Sequence, residues 1–321
     1  MPTKGLCAVN WFNQLPELFA IGLTRGSMYA LIALGYTLVY GVLQLINFAH
    51  SEVFMSGAFG SYLVVNQMVG SGGQYSPAYT ALVVMVGLVV GGLTGAGVAW
   101  SLEIVAYRTL RRRGAPKLAF LISAIGASFF LSQLFGKLFN RFRGNPFPEF
   151  YPANTVLFSV AGANVTPLRL LIILTAVVVM VGLDRLVSKT KLGRGIRAVA
   201  EDAPTAALMG INIDRTISRT FLIGGALAGI AGFLFALAFG FSNTMGFEQG
   251  TKAFAAAVLG GIGNIRGAMV GGILLGVAEA LIPPLPFIGI DWTDVVAFLV
   301  LVLILVVRPT GLLGEKLGRA A

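Results

Sequence analysis

Residues 78–117 read AYTALVVMVGLVVGGLTGAGVAWSLEIVAYRTLRRRGAPK, an apolar run over 78–102 that leads into five basic residues between Arg108 and Lys117. A helix crossing the roughly 30 Å hydrocarbon layer of a bilayer needs about 20 mostly apolar residues, and Lys and Arg gather at the cytoplasmic ends of such helices. The stretch therefore reads as a transmembrane helix that stops at the inner face. Gly87, Gly91 and Gly95 recur within it at four-residue intervals. That spacing places them on one helical face, where the missing side chains let a neighbouring backbone come close.

Working outward, further apolar runs lie at 15–46, 53–69, 118–135, 168–186, 221–241, 253–285 and 295–307, separated by loops bearing Gly, Pro, Asn or charge. Hydrophobic residues make up 56% of the 321 and charged residues 11%, against roughly 45–50% and about 25% in soluble domains. The class expected is an all-α integral membrane protein, a polytopic helical bundle. Of 23 Lys and Arg, 14 fall in the segments 108–117, 189–219 and 308–321. A formal charge of +10 placed in this way marks cytoplasmic loops rather than a nucleic-acid surface. It puts the amino terminus outside and the carboxyl terminus in the cytoplasm. The outer loop 137–167 then runs against the rule, with Lys137, Arg141 and Arg143 facing Glu149 alone. Residues 1–14 lack the apolar core and cleavage site of a removable signal peptide, so the amino terminus is expected to be retained. The single cysteine, Cys7, allows no intrachain disulfide.

This orientation works only if 241–286 begins and ends on the same side. That region is interrupted by Gly260-Gly261-Ile262-Gly263-Asn264-Ile265-Arg266-Gly267, and each glycine weakens a helix by about 1 kcal/mol relative to alanine. A re-entrant or discontinuous helix is expected there, giving about seven full crossings plus one broken element. Irregular backbone at membrane depth persists only where protein buries it or a wet cavity borders it. A cavity is expected beside Gly260, Gly261, Gly263 and Asn264, which become candidates for a translocation pathway. Gly225 and Gly229, Gly267 and Gly271, and Gly272 and Gly276 repeat the four-residue spacing and read as close-packing faces.

The only histidine, His50, stands in Asn47-Phe48-Ala49-His50-Ser51-Glu52 between two apolar runs. Two readings stay open: Ser51 and Glu52 cap the following helix, or Asn47, His50 and Glu52 face the pathway. No further ligand stands at metal spacing, and neither paired carboxylates nor a nucleophile with its base appears, so neither a metal centre nor a catalytic site is indicated.

Residues 189–219, KTKLGRGIRAVAEDAPTAALMGINIDRTISR, form the long cytoplasmic loop. Its centre predicts a short helix over 203–209, with Glu201 and Asp202 before its start, Pro204 in its first turn and Gly210 at its stop. Leu208, Met209, Ile211 and Ile213 are left exposed there unless a cytosolic partner covers them or the loop folds back on the bundle. The chain has no G-x-x-x-x-G-K-[ST] loop for ATP phosphates. Acidic residues within the apolar runs are few, Glu103 and Glu279 being nearest and both towards run ends. Ion coupling generally needs such groups, so energy is expected from outside the chain.

With these residues in view, the chain resembles the LivH-type permeases of branched-chain amino-acid ABC importers over nearly its whole length. The resemblance is carried by Gly35-Tyr36-Thr37-Leu38-Val39-Tyr40-Gly41 with Ile46-Asn47-Phe48-Ala49-His50, and by Arg197-Ala198-Val199-Ala200-Glu201-Asp202 with Ala206, Ala207 and Met209-Gly210-Ile211. Ala257-Val258-Leu259-Gly260-Gly261-Ile262-Gly263 and Arg308-Pro309-Thr310-Gly311-Leu312-Leu313-Gly314 complete it. Two departures stand out: Ser51 follows the histidine where the family has glycine, and Asn264 and Arg266 replace a serine and a proline.

The resemblance implies a single permease domain over 1–321 in a bacterial inner (plasma) membrane, with a coupling helix inside the loop 188–219. Glu201, Asp202, Ala206, Ala207, Met209, Gly210 and Ile211 would meet an ATPase. The implied partners are a second, LivM-like permease, two cytoplasmic ATPase subunits and a periplasmic or extracellular binding protein that sets most of the specificity. No cofactor is expected in this chain, and ATP and Mg would be bound by the partners. The alternative is a permease or channel for a small neutral solute such as urea or an amide.

Overall fold

The computed structural model describes residues 4–70, 75–139, 146–148, 150, 156–160, 162–282, 292–308 and 310–314, with 4–13, 160 and 296 described by backbone alone. It is helical nearly throughout. Helix α1 spans Lys4–Leu43, α2 His50–Val69 and α3 Pro77–Leu102, which continues through a π-helical turn, Glu103–Arg108, into α4, Thr109–Arg112. Then follow α5 Lys117–Leu138, a small hairpin of β1 Phe158–Val160 and β2 Ala163–Val165, α6 Pro167–Lys189, α7 Lys191–Glu201 and α8 Ala203–Leu208. The chain ends with α9 Ile213–Phe239, α10 Met245–Gly260, α11 Ile265–Leu281 and α12 Thr293–Val307.

Among the described residues, five helices are long and apolar enough to cross a membrane: Gln14–Leu43, Pro77–Arg112, Lys117–Leu138, Pro167–Lys189 and Ile213–Phe239. The other two expected crossings fall outside that criterion for different reasons. Helix α2 has 20 residues but carries His50, Ser51, Glu52 and further polar groups, whereas α12 is apolar but only 15 residues long. The broken element is present as expected. Helix α10 stops at Gly260 and α11 starts at Ile265, and the two fold back on each other. A Cβ on Gly271 would meet Gly260 Cα at 3.0 Å, while Gly260 and Gly267 leave no room for a side chain on either.

The chain gathers into two compact units, one of residues 1–33, 152–178 and 252–321, the other of 34–151 and 179–251. Glycine lets helices approach in each. In the second unit a Cβ on Gly95 would lie 2.8 Å from Gly229 Cα, one on Gly91 would lie 2.9 Å from Gly229 O, and Gly57 and Gly225 are equally closed. Helices α2, α3 and α9 therefore touch backbone to backbone. In the first unit Gly22 and Gly26 of α1 face Val277 and Ile273 of α11, each with 2.7 Å to a Cα, and Gly272 and Gly276 of α11 answer them. In lipid, where hydrocarbon gives helices no hydrophobic reason to associate, this contact supplies the dispersion energy.

Helix α7 was not expected; the sequence reads there as loop. Thr190 caps it by accepting from Gly193 N, and Gly193, Ile196 and Val199 form a buried stripe beside exposed Arg194 and Arg197. The hairpin β1–β2, paired antiparallel with Phe158 opposite Val165, occupies part of the expected outer loop 137–167. Arg141, Arg143 and Glu149 of that loop lie outside the described residues, as do the chain termini.

Candidate translocation site and coupling surface

The segment between α1 and α2 is built to hold polar groups inside an apolar protein. Helix α1 ends at Leu43 because Gln44 turns to a positive φ of 51°, and the Gln44 side chain donates to Ala200 O of α7 at 2.9 Å. Asn47 is buried, its Oδ1 accepting from the Tyr107 hydroxyl of the π-helical turn at 2.6 Å. His50 is buried edge-on against Tyr36, with ring centroids 4.9 Å apart and no hydrogen-bond partner for Nε2. A side chain on Gly35 would occupy the imidazole's place. The capping reading holds only in part: Glu52 lies in the first turn of α2, but the helix, with Ala49 at its N-cap, has no side-chain cap and Ser51 Oγ donates backward to Phe48 O at 2.7 Å.

Glu52 is turned inward instead. It is 1% exposed, its Oε1 accepts from Ser128 Oγ of α5 at 3.2 Å, and its Oε2 has no partner. Gly246 gives the carboxylate its room. Beside it opens a cavity of about 270 Å³ lined by Tyr36, Phe48, Ser51, Ile125, Ser128, Phe129, Phe247 and Thr251. All of these belong to the second unit.

The expectation of a cavity at the glycine break is met differently. Gly260, Gly261, Gly263 and Asn264 do not line the cavity described above. The break is buried by protein: Leu312 N and Leu313 N donate to Leu259 O and Gly260 O at 2.9 and 3.0 Å. Gly261 and Gly263 have φ of 108° and 94°, and a Cβ on Gly261 would crowd Gly314 Cα at 2.6 Å. Asn264 caps α11 by accepting from Gly267 N at 3.1 Å, and its Nδ2 donates to Leu313 O at 2.8 Å. Of the two conditions that allow irregular backbone at depth, burial by the chain itself accounts for this one.

The two other buried acids are neutralised. Glu103, 0% exposed, receives Arg108 at 2.9 Å, Arg111 at 3.1 Å and Ser218 Oγ at 2.7 Å. Arg111 and Arg112 reach on to Asp214 at 2.5 and 3.0 Å, tying α4 to the start of α9. The π-helical turn permits this by bringing Arg108, five residues on, back to Glu103. Glu279, also buried, pairs with Lys252 at 3.1 Å and Arg25 at 3.6 Å, and Lys252 extends to Asp294 at 2.7 Å. Sequence spacing alone hides both networks: the first needs the π-helical turn and reaches Asp214 and Ser218 of α9, and the second joins residues of α1, α10, α11 and α12.

On the loop that links α6 to α9, α8 forms over Ala203–Leu208 with Met209 at its end and Gly210 at φ 83°. Asp202 is at its N-cap position but makes no backbone cap; its carboxylate accepts from the Thr205 hydroxyl. Ala206 is buried, and Ile211 and Ile213 are half-buried; Glu201, Asp202, Ala207 and Gly210 are exposed. The apolar tip is Leu208 and Met209, 88% and 80% exposed. Leu208, absent from the coupling set, stood with Met209, Ile211 and Ile213 among the apolar groups expected to need a cytosolic partner.

The family described as "Branched-chain amino acid transport system / permease component" matches residues 18–305. The chain is 42% identical over 297 residues to the high-affinity branched-chain amino acid transport system permease protein LivH of Salmonella typhimurium, covering 92% of this chain and 94% of that one. It is 43% identical over 297 residues to the permease protein BraD of Pseudomonas aeruginosa, with the same coverage. A probable branched-chain amino acid transport permease protein LivH of the archaeon Methanocaldococcus jannaschii is 28% identical over 306 residues, 91% of each chain. No solved structure matches.

Proposed function

Because the chain belongs to the family of permease components of branched-chain amino acid transport systems, we propose that it forms the membrane pathway of an ATP-driven importer for branched-chain or closely related amino acids. It is a multi-pass membrane protein and a transport subunit, with ATP hydrolysis assigned to partner chains. Those partners are a second, LivM-like permease, two cytoplasmic ATPase subunits that hold ATP and Mg, and an external binding protein.

The observation that carries this reading is the exposed Leu208–Met209 tip on α8, offered by a chain without a nucleotide-binding loop. Two large apolar side chains at the end of a short helix suit a groove on a protein rather than water. Glu201, Asp202, Ala206, Ala207, Met209, Gly210 and Ile211 then form the coupling element, with Leu208 added. Its motion reaches the bundle through α7 and α9, which flank it, and through the Glu103–Arg111–Asp214 network. The orientation that fits is amino terminus outside and this loop in the cytoplasm. Asn47, His50 and Glu52 border the pathway, and Gly260, Gly261, Gly263 and Asn264 shape the α10–α11 hairpin.

Ala207→Glu tests the assignment: the variant should reach the membrane in normal amount yet lose ATP-dependent leucine uptake in vesicles carrying all the partners. Uptake at the original rate would remove α8 as the coupling element.

A further inference from the structure

We propose that the cavity beside Glu52 binds the ammonium group of the transported amino acid, with its aromatic and aliphatic wall taking the hydrocarbon side chain. The inference rests on the importer reading above and deepens it by naming which part of the substrate this chain recognises. It begins from a comparison among three buried carboxylates. Glu103 has two arginines, Glu279 has a lysine and an arginine, and Glu52 has no Lys or Arg within ion-pair distance among the described residues. A carboxylate buried inside protein needs a positive partner when charged. Here the Ser128 hydroxyl donates to Oε1, Oε2 is left without a hydrogen bond, and no cation reaches either.

The cavity beside it fits a ligand that brings the missing charge. Ser128, the residue that holds Glu52, and Ser51, its chain neighbour, both line the cavity. Tyr36, Phe48, Phe129 and Phe247 are among its lining residues, and aromatic ring faces attract a desolvated ammonium. Ile125 completes an apolar wall, and no lining residue is basic. A volume of about 270 Å³ is on the scale of one small amino acid. The site thus matches a primary ammonium on a branched hydrocarbon and offers no cation to a carboxylate. A neutral solute would leave Glu52 as unpaired as it stands.

The experiment measures leucine binding to the assembled permease–ATPase complex in nanodiscs by saturation-transfer NMR, without the binding protein, with 3-methylbutylamine and 4-methylpentanoate as competitors. The amine, which keeps the ammonium, should compete within a few-fold of leucine, and the acid, which lacks it, at least tenfold less well. Glu52→Gln should weaken leucine and the amine at least tenfold and leave the acid unchanged. Because loss of a buried charge can disturb folding, Ser128→Ala serves as the second variant and should weaken leucine several-fold through the loosened carboxylate. Equal competition by amine and acid would overturn the proposal. So would unchanged leucine binding in a folded Glu52→Gln or, where that variant does not fold, in Ser128→Ala, or absence of leucine binding by a complex that imports leucine. Failure of the intact wild-type system to import leucine with ATP is a different result, and it would remove the importer reading itself.

Discussion

Gly229 shows how single atoms set this structure. Its Cα lies against Gly95, and a side chain would overlap the Gly91 carbonyl, so Gly229→Leu forces α3 and α9 apart. Overpacking of this kind costs about 1–3 kcal/mol or more, and the variant should show a clearly lowered unfolding temperature in detergent. Gly97, with nothing near the position of a Cβ, should accept alanine without loss in the same assay. The four-residue glycine spacing made Gly87, Gly91, Gly95, Gly225 and Gly229 readable in advance as a packing face. Glu103 was not readable in that way, because its pairing with Arg108 depends on a π-helical turn that no local pattern signals. Glu103→Gln leaves Arg108 and Arg111 with one acid, Asp214, between them. Breaking so buried a pair costs about 3 kcal/mol, and thermal unfolding should register it, whereas Arg112→Gln, at an exposed arginine, should change little.

Elements add what residues alone do not. The break between α10 and α11 was legible from its glycines, but its surroundings were not: the partner that buries it, Thr310–Gly314, is some 50 residues away in sequence, at the far end of Asn264's bond to Leu313. Asn264→Ala removes the α11 cap and that tether together. A cap is worth about 1 kcal/mol, so hydrogen exchange at Gly267 should quicken several-fold while the glycine-packed α3–α9 contact stays protected. Helix α7 was missed because Gly193 and Gly195 argue against a helix locally, and only the buried stripe Gly193–Ile196–Val199 reveals its tertiary support. Helix α8 was anticipated, with Gly210 marking its end. Replacing Leu208 and Met209 together with Asp should leave the protein in the membrane and abolish co-purification with the ATPase subunits; retention of those subunits would show that the apolar tip is not their contact.

At the scale of the whole molecule, composition settled the solvent before any motif was read. A chain with 11% charged residues and helices such as Pro167–Lys189 belongs in lipid. What composition could not convey is where the few buried charges go. Of the three acids buried among the described residues, two are paired with cations inside the chain and Glu52 is not, an arrangement that depends on α2, α5 and α10 meeting at Ser128 and Gly246. The central claim is that this chain forms a pathway driven by other subunits, and uptake by proteoliposomes measures it most directly. Labelled leucine should accumulate against its gradient only when ATP, both ATPases, the second permease and the binding protein are present. Equilibration at the same rate by this chain alone, without nucleotide, would contradict the account.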